Sequence, residues 1–423
     1  MAHRRRKDHY TIAALDIGAS KIACFIARVA HEPDLPPHAE IIGVGCHGAP
    51  VKQREAACPE QLETNIRKAV AAAERMANMR IDRVLVAVPG KALHTRRIGV
   101  DLDIADGVVT QEDIEDCLHE GARLTAPPEC RALHAVATSY RLDGEEIFNH
   151  PVGLNGAMLS TEMLGVAAPQ TTLDNLSTLV ERCSLAPDEF VAGPAAAAEA
   201  TLIEDEKDLG VILIDIGGQS TGYAVYDNGA LVDCGGVGVG GGHITKDIAQ
   251  IFNTPMAQAE RIKTLFGAAL IGPGDEHRLV DFPQLGPGSD HARASRADLC
   301  EVIIPRMEEI FELVLARQSS DPLHRSGLRR AVVTGGGSLL VGAREIAEKV
   351  LSMKTRLGRP IAIPGAPDAA AAPGFAVCAG VIQTYINSAG GDQFALGVAR
   401  QSPHGLSQAA FFGGVEAWLR QKF

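Results

Sequence analysis

Two stretches of the chain repeat one pattern of apolar and polar positions. Residues 12–29 and residues 211–226 each consist of a short β-rich apolar run, the tripeptide Asp-Ile-Gly, a few small polar residues and a second β-rich run. Apolar runs of this length around a glycine turn predict β-hairpins with buried faces. The two copies are much further apart than any solenoid period, so the pattern predicts two related α/β domains that face each other.

A glycine-rich run at 235–243 leads into a helical pattern at 245–252. A glycine turn before a helix N-terminus can receive a phosphate group, although a hinge loop would have the same composition. The dinucleotide template Gly-x-Gly-x-x-Gly passes through Gly236, Gly238 and Gly241. The run contains too many glycines for that match to discriminate, and nothing else in the sequence builds the βαβ unit that the template requires.

Two later segments also carry turn and helix patterns. Residues 331–340 predict a strand that ends in a glycine turn, and a helix is expected at 343–350; alone, this is any strand–turn–helix connection of an α/β protein. Residues 259–263 lie on a predicted helix with Glu260 and Lys263 on one face. By default such a pair is a solvated ion pair that contributes roughly 0.2–0.5 kcal/mol.

Composition and charge exclude several classes of protein. A length of 423 residues corresponds to about two to four domain-sized units, and 46% hydrophobic and 22% charged side chains are typical of a folded protein. The 44 glycines are more than usual and favour loops shaped by glycine backbone freedom. The net charge of −12, with dispersed Lys and Arg, disfavours nucleic-acid binding. The sequence has no apolar run long enough for a membrane helix, and the N-terminus lacks the features of a secretory signal. Nine scattered cysteines without a Cys-x-x-Cys pair favour reduced thiols in the cytosol.

The twin Asp-Ile-Gly turns carry the most specific chemistry. Glycine allows close approach of the backbone to a ligand, and turn N–H groups near the hydroxyls of Ser20 and Ser220 can form an anion-binding concavity. Asp16 and Asp215 at the strand ends are suited to a hydrated Mg²⁺. One such hairpin alone would be an ordinary solvent-facing turn, but two copies on buried strands favour phosphate binding.

In their order along the chain, these five segments resemble the nucleotide cleft of the actin/Hsp70/sugar-kinase superfamily. Three further segments, at 82–89, 151–156 and 418–423, resemble the FtsA family of bacterial cell-division proteins, and the resemblance extends from about residue 10 to residue 423. It implies an α/β, actin-like fold. Two duplicated RNase H-like domains would surround a nucleotide cleft, with an inserted subdomain 1C and a C-terminal amphipathic helix.

The resemblance assigns roles to residues of this sequence. Asp16 and Asp215 would hold Mg²⁺ through water, the two hairpin turns would clamp the phosphates of ATP, and the later glycines would surround the sugar and base. The ATP-binding residues implied are Asp16, Gly18, Ala19, Ser20, Lys21, Asp215, Gly217, Gly218, Gln219, Ser220, Gly241, Gly242, Glu260, Lys263, Gly335, Gly336, Gly337 and Leu339.

It also implies a division into subdomains. The inserted subdomain 1C carries a helical stretch at 110–124, and subdomain 2B carries a candidate contact helix at 301–313. The implied bounds are 1–82 and 163–208 for subdomain 1A, 83–162 for 1C, 209–251 and 315–386 for 2A with a return to 1A, 252–314 for 2B, 387–410 for a linker and 411–423 for the terminal helix.

The second turn departs from the superfamily pattern at two positions. Gln219 replaces the third glycine, where it can either crowd the γ-phosphate or hydrogen-bond to it, and Gly222 replaces an acidic residue. No residue identifies itself as the base that activates water. We therefore expect ATP binding with at most weak ATPase activity, no catalytic residue, and a structural rather than enzymatic role.

The last thirteen residues predict an amphipathic helix that follows a polar, Gly- and Pro-containing linker. A helix docked on the protein's own core is the commoner alternative, but the linker and two glycines at 413–414 favour folding on contact with a membrane surface. The apolar arc consists of Phe411, Phe412, Val415, Trp418, Leu419 and Phe423.

By the resemblance, the protein polymerises and tethers the division machinery to the cytoplasmic face of the inner membrane at midcell. Its expected partners are the C-terminal peptide of FtsZ, further copies of itself, lipid and other division proteins, but no nucleic acid. Arg306 and Glu309 are the candidate FtsZ contacts, since an arginine can pair with an acidic peptide. The alternatives are a pilus-assembly or other actin-fold adaptor, a small-molecule kinase of the same fold, and an Hsp70-like chaperone, for which the chain lacks a β-rich peptide-binding domain.

Overall fold

The computed structural model describes residues 8–31, 37–48, 59–147, 151–286, 291–318 and 328–388. The predicted membrane helix at 411–423 and nearly all of the predicted linker at 387–410 lie outside these residues. None of the helices in the described ranges combines the length and the apolar content that crossing a membrane requires. The eight cysteines within them are free thiols.

Two five-stranded sheets repeat one topology. Their strand orders are β3-β2-β1-β4-β9 and β12-β11-β10-β15-β16, and in each the first three strands are antiparallel and the last three are parallel. This confirms the duplication predicted from the twin hairpins. The strands of the first sheet are β1 (Asp8–Ile17), β2 (Lys21–His31), β3 (His38–Gly48), β4 (Arg83–Val88) and β9 (Ala186–Ala192). Those of the second are β10 (Val211–Ile216), β11 (Thr221–Asp227), β12 (Ala230–Val237), β15 (Arg330–Thr334) and β16 (Lys354–Leu357).

Helices cover both faces of these sheets. In the first half, α1 packs so closely on β3 that a methyl group on Gly45 would lie 1.9 Å from the carbonyl oxygen of Ala69. The last described helix, α10, returns to the first half and packs in the same manner on α4, where Gly380 faces Ala196. Outside the inserted unit, the helices between β3 and β10, together with the last described helix, are α1 (Pro59–Ala77), α3 (Gln170–Arg182), α4 (Gly193–Thr201), α5 (Glu204–Asp208) and α10 (Ala376–Asn387).

A four-stranded antiparallel sheet, ordered β5-β8-β6-β7, is inserted after β4 and carries α2 on one face. The predicted bounds 83 and 162 are wrong for this unit, because β4 pairs with β1 and β9 in the first sheet and residue 162 lies inside β8. Its elements are β5 (His94–Asp103), α2 (Gln111–Thr125), β6 (Cys130–Leu142), β7 (Glu145–Ile147) and β8 (Met158–Pro169). The N-cap Thr110 and Asp113 form a capping box that begins α2 one residue after the predicted start.

The second half contains a smaller layer between α6 and β15. A β-hairpin packs with two helices over the apolar face of the second sheet, in a cluster that includes Phe282, Ile303 and Phe311. Helix α8 runs beyond the predicted limit at 314. The elements are α6 (Gly241–Ile251), α7 (Met256–Phe266), β13 (Leu279–Pro283), β14 (His291–Ser295), α8 (Arg296–Arg317) and, after β15, α9 (Ala343–Leu351).

Candidate functional site

The two Asp-Ile-Gly turns oppose each other across the boundary between the halves. An added methyl group on Gly218 would lie 3.0 Å from Ser20 Cβ and 3.3 Å from the Ser20 backbone nitrogen. The turns share one tight geometry, since a Cβ at Gly18 or at Gly217 would lie 2.8 Å from the carbonyl oxygen three residues later. The structure therefore brings together the two segments that the sequence predicted to clamp one anion.

Asp16 and Asp215 lie at the carboxyl ends of β1 and β10, partly buried on either side of this boundary. Burial and then the charge of Asp16 raise the pKa of Asp215 to about 7, while the nearby Lys21 ammonium opposes this change. Burial likewise raises the pKa of Asp16, and Lys21 again opposes it. The two carboxylates are thus close enough to repel each other, and a cation placed between them would relieve that repulsion.

A divalent metal suits this pair of carboxylates. The described ranges contain no cluster of three or more His, Cys, Asp or Glu side chains that could enclose an ion. Mg²⁺ usually retains several waters and binds through one or two carboxylates together with phosphate oxygens. Asp16 and Asp215 therefore fit a hydrated Mg²⁺ that is shared with a phosphate ligand.

Lys21, the first residue of β2, is held by a segment that the sequence analysis did not identify. Its Nζ donates to the carbonyl oxygen of Gly374 and lies 3.8 Å from the centroid of the Phe375 ring. Both residues belong to a short 3₁₀ helix, Pro373–Phe375, that precedes α10. Nothing near 373–375 repeats the turn motif, so only the fold places this segment at the site.

The glycine-rich run at 235–243 and the start of α6 are hydrogen-bonded directly to the second turn. The N–H groups of Gly241 and Gly242 donate to the carbonyl oxygens of Gly217 (2.9 Å) and Gly218 (2.7 Å). Helix α6 therefore begins at Gly241, four residues before the predicted start, and its first N–H groups support the turn. Any added side chain at Gly240 would collide with the Gly217 carbonyl oxygen at 2.5 Å, which explains the small residue there.

Glu260 and Lys263 form an ion pair on α7 with a distance of 2.7 Å, as predicted, but it is not the solvated pair of the default interpretation. The Lys263 side chain is only 14% exposed. Its Nζ also donates to Gly241 O (3.0 Å) and Thr245 Oγ1 (2.8 Å). The pair therefore fixes the start of α6. Thr245 is a further residue of this site that the sequence pattern did not predict.

The loop after β15 lies beside Asp215. Gly335 has φ = +84°, and a Cβ there would lie 2.2 Å from Asp215 Oδ1, so both its backbone conformation and its surroundings require glycine. A Cβ at Gly337 would collide with Ile216 at 2.3 Å, whereas Gly336 faces open space and Leu339 is 61% exposed. Gly335 and Gly337 thus reach the second turn, and Gly336 and Leu339 are free to contact a ligand.

The space beside Asp215, on the same face of the sheet, is filled by packed residues, which form the floor of the site. Gly222 pairs with Asp215 across the strands, and a Cβ on Gly222 would lie 2.6 Å from Pro194 Cγ. From the first half, an added Cβ on Gly90 would lie 2.3 Å from the Gly235 carbonyl oxygen and 3.0 Å from Gly222 Cα. The absence of an acidic side chain at 222 therefore has a steric cause. A Pro-Gly step directly after β4 and a Gly-Pro step directly after β9 are the sequence signals that could have identified Gly90 and Pro194.

The remaining predicted residues have different surroundings. Gln219 is exposed at the tip of the second turn, as are Ala19 and Ser20 in the first. Arg306 on α8 is not free, because its guanidinium donates to both carboxylate oxygens of Asp247 on α6 (2.6 and 3.0 Å) and to Glu309. The residues of the predicted apolar arc, from Phe411 to Phe423, lie outside the described ranges.

Comparison with known proteins agrees with this architecture. Two family models match: "Cell division protein FtsA" over residues 212–380, and "SHS2 domain inserted in FTSA" over residues 90–167, which is the inserted unit described above. The chain is 32% identical to the cell division protein FtsA of Agrobacterium fabrum over 437 residues, covering 99% of this chain and 96% of that protein. It is 30% identical to the FtsA of Escherichia coli K12, with coverage of 98% and 99%.

Among solved structures, the chain resembles one in the PilM-PilN type IV pilus biogenesis complex. The TM-score is 0.59 at 18% sequence identity, covering 88% of this chain and 97% of that one. At this identity the likeness concerns the fold alone. Together with the duplicated sheets it establishes an actin-like α/β fold that carries the inserted SHS2 unit.

Proposed function

The chain belongs to the FtsA family of cell division proteins, and from that premise we propose that it binds ATP with Mg²⁺, polymerises, and tethers FtsZ to the cytoplasmic face of the inner membrane at midcell. It acts as a peripheral membrane protein of the septal ring, together with other division proteins and without nucleic acid. Its role is structural, with at most weak ATPase activity.

One observation carries the nucleotide proposal. The turns that contain Ser20 and Gly218 approach so closely that an added Cβ on Gly218 would lie 3.0 Å from Ser20 Cβ, and they lie beside the two mutually repelling carboxylates Asp16 and Asp215. A nucleotide triphosphate supplies phosphate oxygens for the turn N–H groups and brings the cation that the carboxylates attract. The later glycines and the Glu260–Lys263 pair would then surround the sugar and base.

The metal would be held through water by Asp16 and Asp215. When bound, Mg²⁺ neutralises part of the phosphate charge. The residues of this chain orient the phosphates, through the turn N–H groups and the Lys21 ammonium, and exclude solvent from the floor of the site. Since Pro194 fills the space beside Gly222, there is no room at position 222 for an acidic side chain that could accept a proton from water. This supports binding without efficient hydrolysis.

The partner sites are proposed on separate parts of the chain. We assign the layer formed by α7, β13, β14 and α8 to subdomain 2B, and the inserted unit to subdomain 1C. Helix α8 would receive the acidic C-terminal peptide of FtsZ. Arg306 would exchange the more exposed of its two partners, Glu309, for a peptide carboxylate and keep Asp247. The predicted helix at 411–423 would insert its apolar arc into the lipid surface.

The decisive experiment images the full chain on a lipid monolayer by electron microscopy with MgATP. We expect membrane-bound filaments with the wild type and none with Trp418→Glu, which places a charge in the apolar arc. The matched control is Ala417→Glu, since residue 417 lies opposite that arc at 100° per residue, and it should retain filaments. Undiminished binding of Trp418→Glu would exclude this helix as the anchor, and filaments that form equally without nucleotide would contradict the role of ATP.

The FtsZ contact is tested by titrating a fluorescent FtsZ C-terminal peptide into the full chain. Arg306→Gln should weaken binding at least about five-fold, because the charge-assisted hydrogen bond to the peptide carboxylate is lost. The matched control is Arg293→Gln on β14, whose guanidinium pairs with Asp281 and is 68% exposed. If the two variants bind the peptide equally well, α8 is not the contact helix.

A further inference from the structure

The 3₁₀ helix Pro373–Phe375 lies against the site without being part of either turn. We propose that Phe375, together with the Gly374 carbonyl group, is a positioning element that holds the Lys21 ammonium ready for the nucleotide phosphates. This inference rests on the proposed binding of ATP and adds a residue to that site. No pattern in the sequence around 373–375 indicated such a role.

The contacts around Lys21 account for one side of its ammonium group. One N–H is directed to the Gly374 carbonyl oxygen, and the Phe375 ring lies 3.8 Å from Nζ, within the range of a cation–π contact. A lysine ammonium has three donors, so two remain for phosphate oxygens. Gly374 has to be small, because a methyl group there would lie 2.6 Å from Lys21 Nζ.

Phe375 is itself held rigidly. Its ring packs on that of Phe25 with centroids 5.8 Å apart, and it contacts the buried cluster beneath α10. Phe25 and Lys21 lie four residues apart on β2 and therefore share one face of the sheet. The Phe375 ring therefore contacts both the apolar part of β2, at Phe25, and its charged end, at Lys21. An aromatic face fixed in this way can orient an ammonium group without occupying any of its donors.

The arrangement solves an electrostatic conflict within the site. Lys21 is near enough to Asp16 and Asp215 to oppose the rise in their pKa values, yet within the described ranges it forms no ion pair with either carboxylate. A flexible lysine left free would fold onto the nearer carboxylate and displace the cation. Holding the ammonium on Phe375 and Gly374 keeps the two carboxylates available for a hydrated Mg²⁺.

The same structure distinguishes a positioning role from a packing role. Leucine at 375 keeps most of the apolar volume but lacks the π face, whereas tyrosine keeps both. Phe252 offers a matched control, because its ring packs on Phe282 at 5.2 Å in another part of the chain. A loss specific to the π face, and present only when Lys21 is intact, cannot come from packing alone.

The test measures the Kd of a fluorescent ATP analogue with Mg²⁺ for the full-length chain and its variants. We expect Phe375→Leu to weaken binding by about 3- to 10-fold, Phe375→Tyr to restore it, and Phe252→Leu to leave it unchanged. In a Lys21→Met background, Phe375→Leu should have no further effect. Gly374→Ala should weaken binding as well, because its methyl group displaces Lys21 Nζ from the backbone side without changing the aromatic ring. If Phe375→Leu does not fold, Gly374→Ala takes its place in the test.

Each outcome bears on one of the two claims. A wild-type chain that does not bind the analogue contradicts the proposed function itself. The positioning role alone is overturned if the wild type binds the analogue and Phe375→Leu binds it equally well. It is also overturned if the loss of affinity in Phe375→Leu adds to the loss in Lys21→Met. Tighter binding by Phe375→Leu would also overturn it, since the ring would then be competing with phosphate for the ammonium.

Discussion

Gly218 of the second turn lies against Ser20 of the first, although 198 positions separate them in the chain, and an added Cβ on Gly218 would approach the Ser20 side chain to 3.0 Å. This contact joins two hairpins that arise independently from the same local sequence pattern. It places two sets of turn N–H groups and two carboxylates around one small volume. Nucleotide binding as proposed requires the two turns to stay this close together.

Gly218→Val should weaken binding of MgATP at least about ten-fold, because the branched side chain would collide with Ser20 and push apart the two turns that have to converge on the phosphates. Equilibrium binding of a fluorescent ATP analogue measures the effect. The matched control is Gly238→Val in the exposed part of the glycine-rich run, where an added Cβ meets nothing within 4 Å. If Gly218→Val binds as well as Gly238→Val, the turns do not enclose the phosphates.

Asp215→Asn should stabilise the nucleotide-free protein and abolish its response to Mg²⁺. The pKa of about 7 in the folded state lies above the reference value of 3.8, so folding takes up a proton between these pH values and stability falls as pH rises through them. Removing the charge should raise the free energy of unfolding at pH 8 by roughly 1–4 kcal/mol.

Thermal unfolding at pH 5.5 and pH 8, with MgATP or with ATP and EDTA, tests this prediction. The wild type should gain melting temperature from MgATP and lose the gain when EDTA removes the metal, whereas Asp215→Asn should gain little in either case. An equal gain by both proteins would mean that Asp215 does not serve the metal.

Gly222→Ala should lower the free energy of unfolding by about 1–3 kcal/mol, because its methyl group would collide with Pro194 in a closely packed floor. Gly99→Ala, at an exposed position of β5 where the added Cβ meets nothing within 4 Å, should stay within about 0.5 kcal/mol of the wild type. Urea unfolding of the two variants provides the comparison. Equal stabilities would show that the floor can relax and that the space beside Asp215 is not closed.

His134 should make stability depend on pH below 6.5. It is 5% exposed on β6, its Nε2 accepts the Ala192 N–H at 3.0 Å, and burial lowers its pKa from 6.5 to about 4. Between these values the unfolded chain binds the extra proton, so the stabilisation present above pH 6.5 is lost as pH falls towards 4, by roughly 3 kcal/mol in total.

Urea unfolding at pH 7.5 and pH 5 tests this dependence with His134→Gln, whose amide oxygen can still accept the Ala192 N–H. The variant should lose less stability than the wild type on acidification. The control is His94→Gln at an exposed position of β5, which should follow the wild-type pH dependence. If the free energy of unfolding falls equally between pH 7.5 and pH 5 in the wild type and both variants, His134 is not the source of the pH dependence.

Much of the fold followed from local patterns. The two hairpins and the strand–turn–helix unit at 331–350 were predicted because apolar periodicity and turn chemistry act over a few residues. The errors concerned boundaries. The start of α6 was placed four residues late, since the hydrogen bonds that begin it go to Gly217 and Gly218, and β4 was assigned to the inserted unit because its pairing with β1 is not visible in its own sequence.

The sequence by itself determined the duplicated Asp-Ile-Gly hairpins, the family and the residues that line the two turns, because each of these is written in a short contiguous segment. Only the tertiary structure decided that Pro194 closes the space beside Gly222, that Arg306 is paired with Asp247, and that Phe375 lies over Lys21. These contacts join positions from 28 to 354 residues apart, where 222 − 194 = 28 and 375 − 21 = 354. Their cause is the packing of whole sheets and helices, which no local pattern encodes.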